Sequence, residues 1–185
     1  MNNENSVKLS DIASGDNFVA AGKKWIKFFE IDGQAVVLMQ ESWERAIFDC
    51  NTNNYAKSEL REKLEETLLP ELERAIGSDN MYSFPIDLMA EDGTMRDNRI
   101  VSKISLPTLD FYRNHRPTFT RYDLTSELWL ATANKEDDKY LLTPSAGLGI
   151  GLTSHGNSSD VHPLCIFNSN IFVSKEQTNE STLED

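Results

Sequence analysis

The side chains able to do chemistry are few and scattered. The chain of 185 residues holds three histidines and two cysteines. His115, His155 and His162 show neither the His-Glu-x-x-His nor the mixed Cys/His spacing of a zinc site. His155 and His162 stand seven apart with Asp160 between them. A His/Asp/His metal site on a loop is weighed here against a surface histidine and a capping aspartate, and the second is the expectation. Glu91-Asp92-Gly93, with Asp97 and Asn98, offers hard oxygens for calcium but not in the EF-hand order. Asp87, Asp92 and the adjacent Asp137-Asp138 could hold Mg²⁺ for a nuclease, yet their neighbours read as solvated turns. Gly147-Leu148-Gly149-Ile150-Gly151 has the glycines of a phosphate loop, without the Lys-Ser/Thr ending or a following helix. No Gly-x-Ser-x-Gly elbow marks a nucleophilic serine. Cys50 and Cys165 each lie beside apolar residues and read as two small buried hydrophobes. No catalytic set, metal or cofactor is expected, and a binding role is favoured over an enzyme.

The elements that would position these residues are mostly short strands. Residues 18–20 and 25–31 read as strands, and 35–39 as a third. Asp32-Gly33 between the last two is a two-residue hairpin signal, because both central positions of a type I′ turn need positive φ. The clearest helix carries Leu60, Leu64, Leu68, Leu72 and Ile76 at spacing four, with charges between them. Pro70 predicts a break, with helix to about Thr67 and a short second turn begun by the proline. Gly77 is the expected stop. Residues 83–88 read as an edge strand with Pro85 at its start or outside the ladder, and residues 100–106 alternate as a strand. Thr108 is placed to cap a short helix over 109–114. Arg113, His115, Arg116 and Arg121 form a basic cluster around Pro117. In the loop-rich last third, residues 128–131 read as a short apolar strand and 140–142 as another. The glycines of 144–156 suit a hairpin or close-packed loop, and residues 161–167 and 171–173 close the domain. The class is α+β.

Charge narrows the partners. Eighteen Lys+Arg against 30 Asp+Glu give −12, which disfavours direct contact with nucleic acid or with an anionic membrane surface. A basic protein partner fits, as does a protein that imitates the charge of nucleic acid. No stretch reaches the roughly 18 apolar residues of a membrane helix, and the polar first ten residues do not read as a signal peptide. Synthesis in the cytosol is expected, with virion association compatible with it. Residues 1–6 read as a disordered N-terminus, 7–174 as a single domain, and 175–185 as an acidic disordered tail. The acids concentrate in that tail (Glu176, Glu180, Glu184, Asp185) and on the helix (Glu59, Glu62, Glu65, Glu66, Glu71, Glu73).

A series of segments carries a family resemblance over nearly all of residues 7–174. It starts with Leu9-Ser10-Asp11-Ile12, Gly15-Asp16 and Phe18, then Phe48-Asp49, Asn53-Asn54-Tyr55 and Ser58-Glu59-Leu60-Arg61. It continues through Lys103-Ile104-Ser105-Leu106-Pro107-Thr108-Leu109 with Tyr112-Arg113, and Leu128-Trp129-Leu130-Ala131-Thr132-Ala133. It ends with Val161-His162-Pro163-Leu164-Cys165-Ile166 and residues 169–174. In this order the segments resemble a phage- and mobile-element-associated family of unknown function from Gram-positive bacteria. That family is related to the C-type-lectin-like fold of formylglycine-generating enzymes and phage tropism proteins. Two positions depart from its pattern: Leu128-Trp129 replaces a double aromatic, and Val161-His162-Pro163 replaces Val-Arg-Pro, which introduces a group that can titrate. Cys50 and Cys165 do not reproduce the close cysteine pair of the enzymes, so the resemblance implies fold and not chemistry.

The resemblance implies a C-type-lectin-like domain whose last-third loops bind a protein or glycan. Trp129, Tyr140, His155, Asn157 and Asp160 are the residues expected there, with Trp129 equally suited to the core. Tyrosine and asparagine suit adaptable recognition. The alternative is an anti-defence inhibitor, anti-CRISPR-like, that fills the basic nucleic-acid channel of a host RNA-guided nuclease. Its contact face would be Glu59, Glu62, Glu65, Glu66 and Glu73.

Overall fold

A computed structural model describes residues 6–90, 92–93, 99–135, 139–145 and 149–175. Antiparallel strands dominate, with few helices, so the α+β class holds. The main sheet contains β1 (Ser6–Lys8), β2 (Asn17–Ala20), β3 (Lys23–Ile31), β4 (Gln34–Met39), β8 (Ile104–Ser105), β12 (Leu164–Asn168) and β13 (Phe172–Lys175). Their order is β1-β13-β2-β3-β4-β12-β8, antiparallel throughout. Among the described residues, three two-stranded ladders accompany it. They pair β5 (Arg45–Ile47) with β11 (Ser158–Asp160), β6 (Phe84–Ile86) with β7 (Ile100–Ser102), and β9 (Tyr140–Ser145) with β10 (Gly149–Ser154). Ser6 and Lys175, expected in the two disordered ends, are the outer residues of β1 and β13. The rest of those ends, residues 1–5 and 176–185, lies outside the described residues.

The helical run is longer than Pro70 predicts. Helix α1 (Glu59–Lys63) passes through a π-helical turn (Leu64–Leu68) into α2 (Leu69–Ile76), without a break. In the wide turn the Leu69 N–H donates to the Leu64 carbonyl, five residues back. The widening sits one turn before Pro70, where the missing N–H and the bulk of the ring would otherwise strain an α-helix. It also serves the apolar stripe. Positions four apart drift by about 40° per step on an α-helix of 3.6 residues per turn, and a wider turn removes part of that drift. Leu60, Leu64, Leu68 and Leu72 are accordingly all buried on one side. Gly77 ends the run at φ 95°, with its N–H on the Glu73 carbonyl.

Each face of the sheet has its own core. Trp25, Ala35, Val37, Met39, Cys165 and Phe167 point to the leucine stripe, and burial raises the Cys165 thiol pKa. The alternate residues Ile26, Val36, Leu38 and Leu164 face α3 (Leu109–Asn114) and α4 (Arg116–Arg121). The β3–β4 register slips between Lys27 and Phe29, a bulge that leaves Phe28 unpaired. Phe28 and Phe29 consequently both serve the second core. Just before the bulge, Lys27 is 3% exposed. Its three ammonium hydrogens are used by the carbonyls of Leu9 (3.0 Å) and Ile12 (2.8 Å) and the carboxylate of Glu30 (2.6 Å). Lys27 in turn holds the Glu30 carboxyl below its ordinary pKa, against a smaller effect of burial.

Other expectations are corrected in detail. Residues 128–131 form no strand. Trp129 N–H donates to Asp160, Ala131 N–H to Pro107, and the Leu128 carbonyl accepts from the Thr143 hydroxyl. Bonds to three separate segments cannot make a ladder. The segment instead runs between the cores, giving Trp129 and Ala131 to one and Leu128 and Leu130 to the other. Residues 100–106 are divided at Lys103 into β7, which pairs with β6, and β8, which pairs with β12 in the main sheet; the Lys103 ammonium meets Glu73 (2.7 Å) and Ser78. The basic cluster contains a second helix, α4, with Pro117 in its first turn. Cys50 is exposed, not buried. Among the described residues, no helix is long and apolar enough to cross a membrane.

Candidate functional site

Three of the five predicted contact residues come together. Tyr140 opens β9 opposite Ser154 at the end of β10, and His155 follows directly. Asn157 N–H donates to the Ser154 carbonyl and closes the turn beyond the hairpin. Tyr140 and Asn157 are exposed and His155 is half-buried. Their backbone is tied to the earlier part of the chain. The buried Asn53 amide donates to the carbonyls of Asn134 (3.1 Å) and Tyr140 (3.0 Å). The His155 ring donates from Nδ1 to the Asp49 carbonyl at 2.8 Å, and the His155 carbonyl accepts from the N–H groups of Phe48 and Asp49. The carbonyl partner places a hydrogen on Nδ1.

Asp49 anchors this region from below. Its carboxylate accepts N–H bonds from Asn51 (2.6 Å), Thr52 (3.0 Å) and Glu59 (3.0 Å), the last at the start of α1. Burial pushes its pKa up, but those N–H donors and the nearby His155 outweigh burial and hold it below the ordinary aspartate value. Asp49 therefore fixes the helix start through its carboxylate and the loop that carries His155 through its backbone.

The other two predicted residues are placed differently. Trp129 is fully buried, with its indole N–H on the Ala46 carbonyl (2.7 Å) and its ring edge-on to Phe48. It belongs to the core. Asp160 ends β11 and is drawn to Arg45 (3.7 Å), which also holds Glu127 (2.6 Å). His162 is buried, its Nδ1 on the Met39 carbonyl at 3.0 Å. His155, Asp160 and His162 thus direct their polar atoms to three separate partners and share no centre. Among the described residues, no group of three or more His, Cys, Asp or Glu could hold a metal ion. Of the weak cation-site residues, Glu91, Asp97, Asn98, Asp137 and Asp138 lie outside the described residues, as do Gly147 and Leu148 of the glycine run. Asp92 meets Lys135.

The predicted acidic face divides as well. Glu65 is bonded to Arg61 and to the Ser102 hydroxyl, and Glu73 to Lys103 and Ser78. Lys103 is the first cause of a lowered Glu73 pKa. Glu59, Glu62 and Glu66 are exposed and enter no ion pair among the described residues. Their spacing of three and four keeps them on one helix face.

One concavity has no counterpart in the sequence reading. A cleft of about 700 Å³ opens on the second face of the sheet, within the range common for small-molecule sites. Its walls come from β3, β4, β6, β12 and the start of α3, including Phe29, Val36, Phe84, Ile86, Leu109, Phe111 and Ile166. Asp32, Asp87 and Asp110 lie among the lining residues, and no lysine, arginine or histidine does among the described ones. Asp32 stands at φ 50° with Gly33 at φ 77° in the anticipated hairpin turn. The only sequence signal for the cleft is local, the turn that presents Asp32. The aromatic walls lie on elements far apart in the chain.

No family model, curated protein or solved structure matches this chain.

Proposed function

We propose that this chain is a non-catalytic binding protein of phage or prophage origin on a C-type-lectin-like scaffold. It recognises a protein or glycan partner through its last-third loops, at Tyr140, His155 and Asn157. The ordered segments quoted above and the antiparallel α+β architecture support the scaffold. One observation carries the site: three side chains of recognition type share one end of a hairpin whose backbone is tied down by Asn53 and Asp49. Such preorganisation lowers the entropic cost of association. Tyrosine adds contact area at little rotamer cost, and asparagine adds adaptable hydrogen bonds. The test is capture from host lysate and from purified virions with wild-type protein and a Tyr140→Ala/Asn157→Ala variant. The variant should fold normally by circular dichroism and lose the captured partner about tenfold or more. Undiminished capture would remove the site from these loops.

A second reading rests on Glu59, Glu62 and Glu66, which are exposed along one helix face without ion pairs among the described residues. As an acidic inhibitor, the protein would press this face into the basic nucleic-acid channel of a host RNA-guided nuclease. Its complex would then weaken steeply between low and physiological salt. Charge reversal at Glu62 and Glu66 would restore nuclease cleavage, and continued inhibition by that variant would contradict the reading.

A further inference from the structure

We propose that the cleft on the second sheet face is a binding site for a small organic cation, an apolar body bearing one ammonium group. This site is independent of the loop-borne function. Phe29, Phe84 and Phe111 each line the cleft while remaining partly exposed at the margin of the second core. Aromatic faces attract a cation through the ring quadrupole, most strongly where water is excluded. The charge of the lining has the complementary sign: three aspartates and, among the described residues, no basic side chain.

The three acids are not equivalent. Asp87 is engaged by Arg99 through two hydrogen bonds, and Asp110 lies 3.9 Å from Arg113. Asp32 makes no ion pair among the described residues and is fixed at the tip of a tight turn, whose Gly33 carbonyl accepts from Ser169 N–H. Asp32 is therefore the lining carboxylate whose charge is left for a ligand's ammonium group. An anionic ligand would meet uncompensated negative charge, and a neutral one would leave Asp32 unused. The volume selects a small molecule, since about 700 Å³ is what a drug-sized ligand fills.

The test uses three probes with one apolar body: 3-phenylpropylamine, 3-phenylpropanol and 3-phenylpropanoate. Each is titrated into the isotopically labelled full chain and followed by amide chemical shifts. The amine should bind about tenfold more tightly than the alcohol, and the propanoate most weakly. The shifts should centre on Ser105, Thr108 and Thr132, which line the cleft. Asp32→Asn/Asp110→Asn should cut the amine's advantage over the alcohol, leaving only the share that the rings supply. Both positions are exposed, and asparagine tolerates the positive φ at 32, so the fold is kept. Equal or tighter binding of the propanoate, an amine preference undiminished by the double substitution, shifts centred elsewhere, or no binding by any probe would each overturn the proposal. The same variant should capture the loop-face partner normally, so failure of one site is read separately from failure of the other.

Discussion

The two faces of the main sheet are covered by helices of very different reach. On one face the run from Glu59 to Ile76 lays four buried leucines across the strands. The buried charge of Lys27 lies within the same structure, with all three of its hydrogens used. On the other face α3 and α4 have six residues each. They bury Leu109, Tyr112 and Phe119 but leave the cleft beside Phe29 and Phe111. A long helix seals a sheet face, whereas two short ones leave room for a ligand. The sealed face should therefore carry more of the stability, and the open face should tolerate change.

The largest effect is expected at Lys27. Lys27→Met strands the buried Leu9 and Ile12 carbonyls and removes the counter-charge of Glu30, and should cost about 3–5 kcal/mol, at about 1–3 kcal/mol for each buried polar group left unsatisfied. Urea unfolding measures it, and a loss no larger than that of a surface substitution would undo the picture of a sealed face. Next is a matched pair. Leu68→Ala on the sealed face should cost about 3–4 kcal/mol through the cavity it leaves, and Phe111→Ala on the open face about 1–2 kcal/mol, because its ring is already partly exposed. Equal losses would erase the difference between the faces. Gly77→Ala should cost about 1–2 kcal/mol, since the new Cβ meets Asn80 Nδ2 at 3.1 Å and φ is 95°.

The smallest effect is a pH dependence. Burial lowers the His162 pKa from 6.5, opposed by the Met39 carbonyl and by Asp160. The unfolded chain then takes up the proton near pH 6.5, while the folded chain resists until lower pH. Stability is unaffected above that point and declines as pH falls from about 6.5 towards the folded value. His115, also lowered by burial, acts with the same sign. His162→Gln should flatten part of the decline in midpoints measured from pH 7.5 to 5, and an unchanged slope would assign the decline elsewhere.

What was legible in the sequence was local. Asp32-Gly33 needs positive φ at two adjacent positions, Thr108 needs only the N–H three residues on (3.2 Å), and leucines four apart need only one helix. Ala21-Gly22 makes the same kind of turn at φ 53° and 69°, but alanine gives no warning of it. Trp129 and Lys27 were not legible because their surroundings come from distant segments: Ala46 and Phe48 for one, Leu9 and Ile12 for the other. The β9–β10 end was partly legible, since Tyr140, His155 and Asn157 are near in sequence. Their anchors Asn53 and Asp49 lie 87 and 106 residues before Tyr140 and His155. The cleft had no signal beyond its turn, because Phe29, Phe84 and Phe111 meet only in the folded chain.

The central claim, recognition through the hairpin end, is tested most directly by hydrogen–deuterium exchange on the protein with and without its captured partner. Protection should appear over residues 139–142 and 153–158 and be small over 59–76. Protection confined to 59–76, with residues 139–158 unchanged, would contradict the claim and favour the acidic helix as the contact.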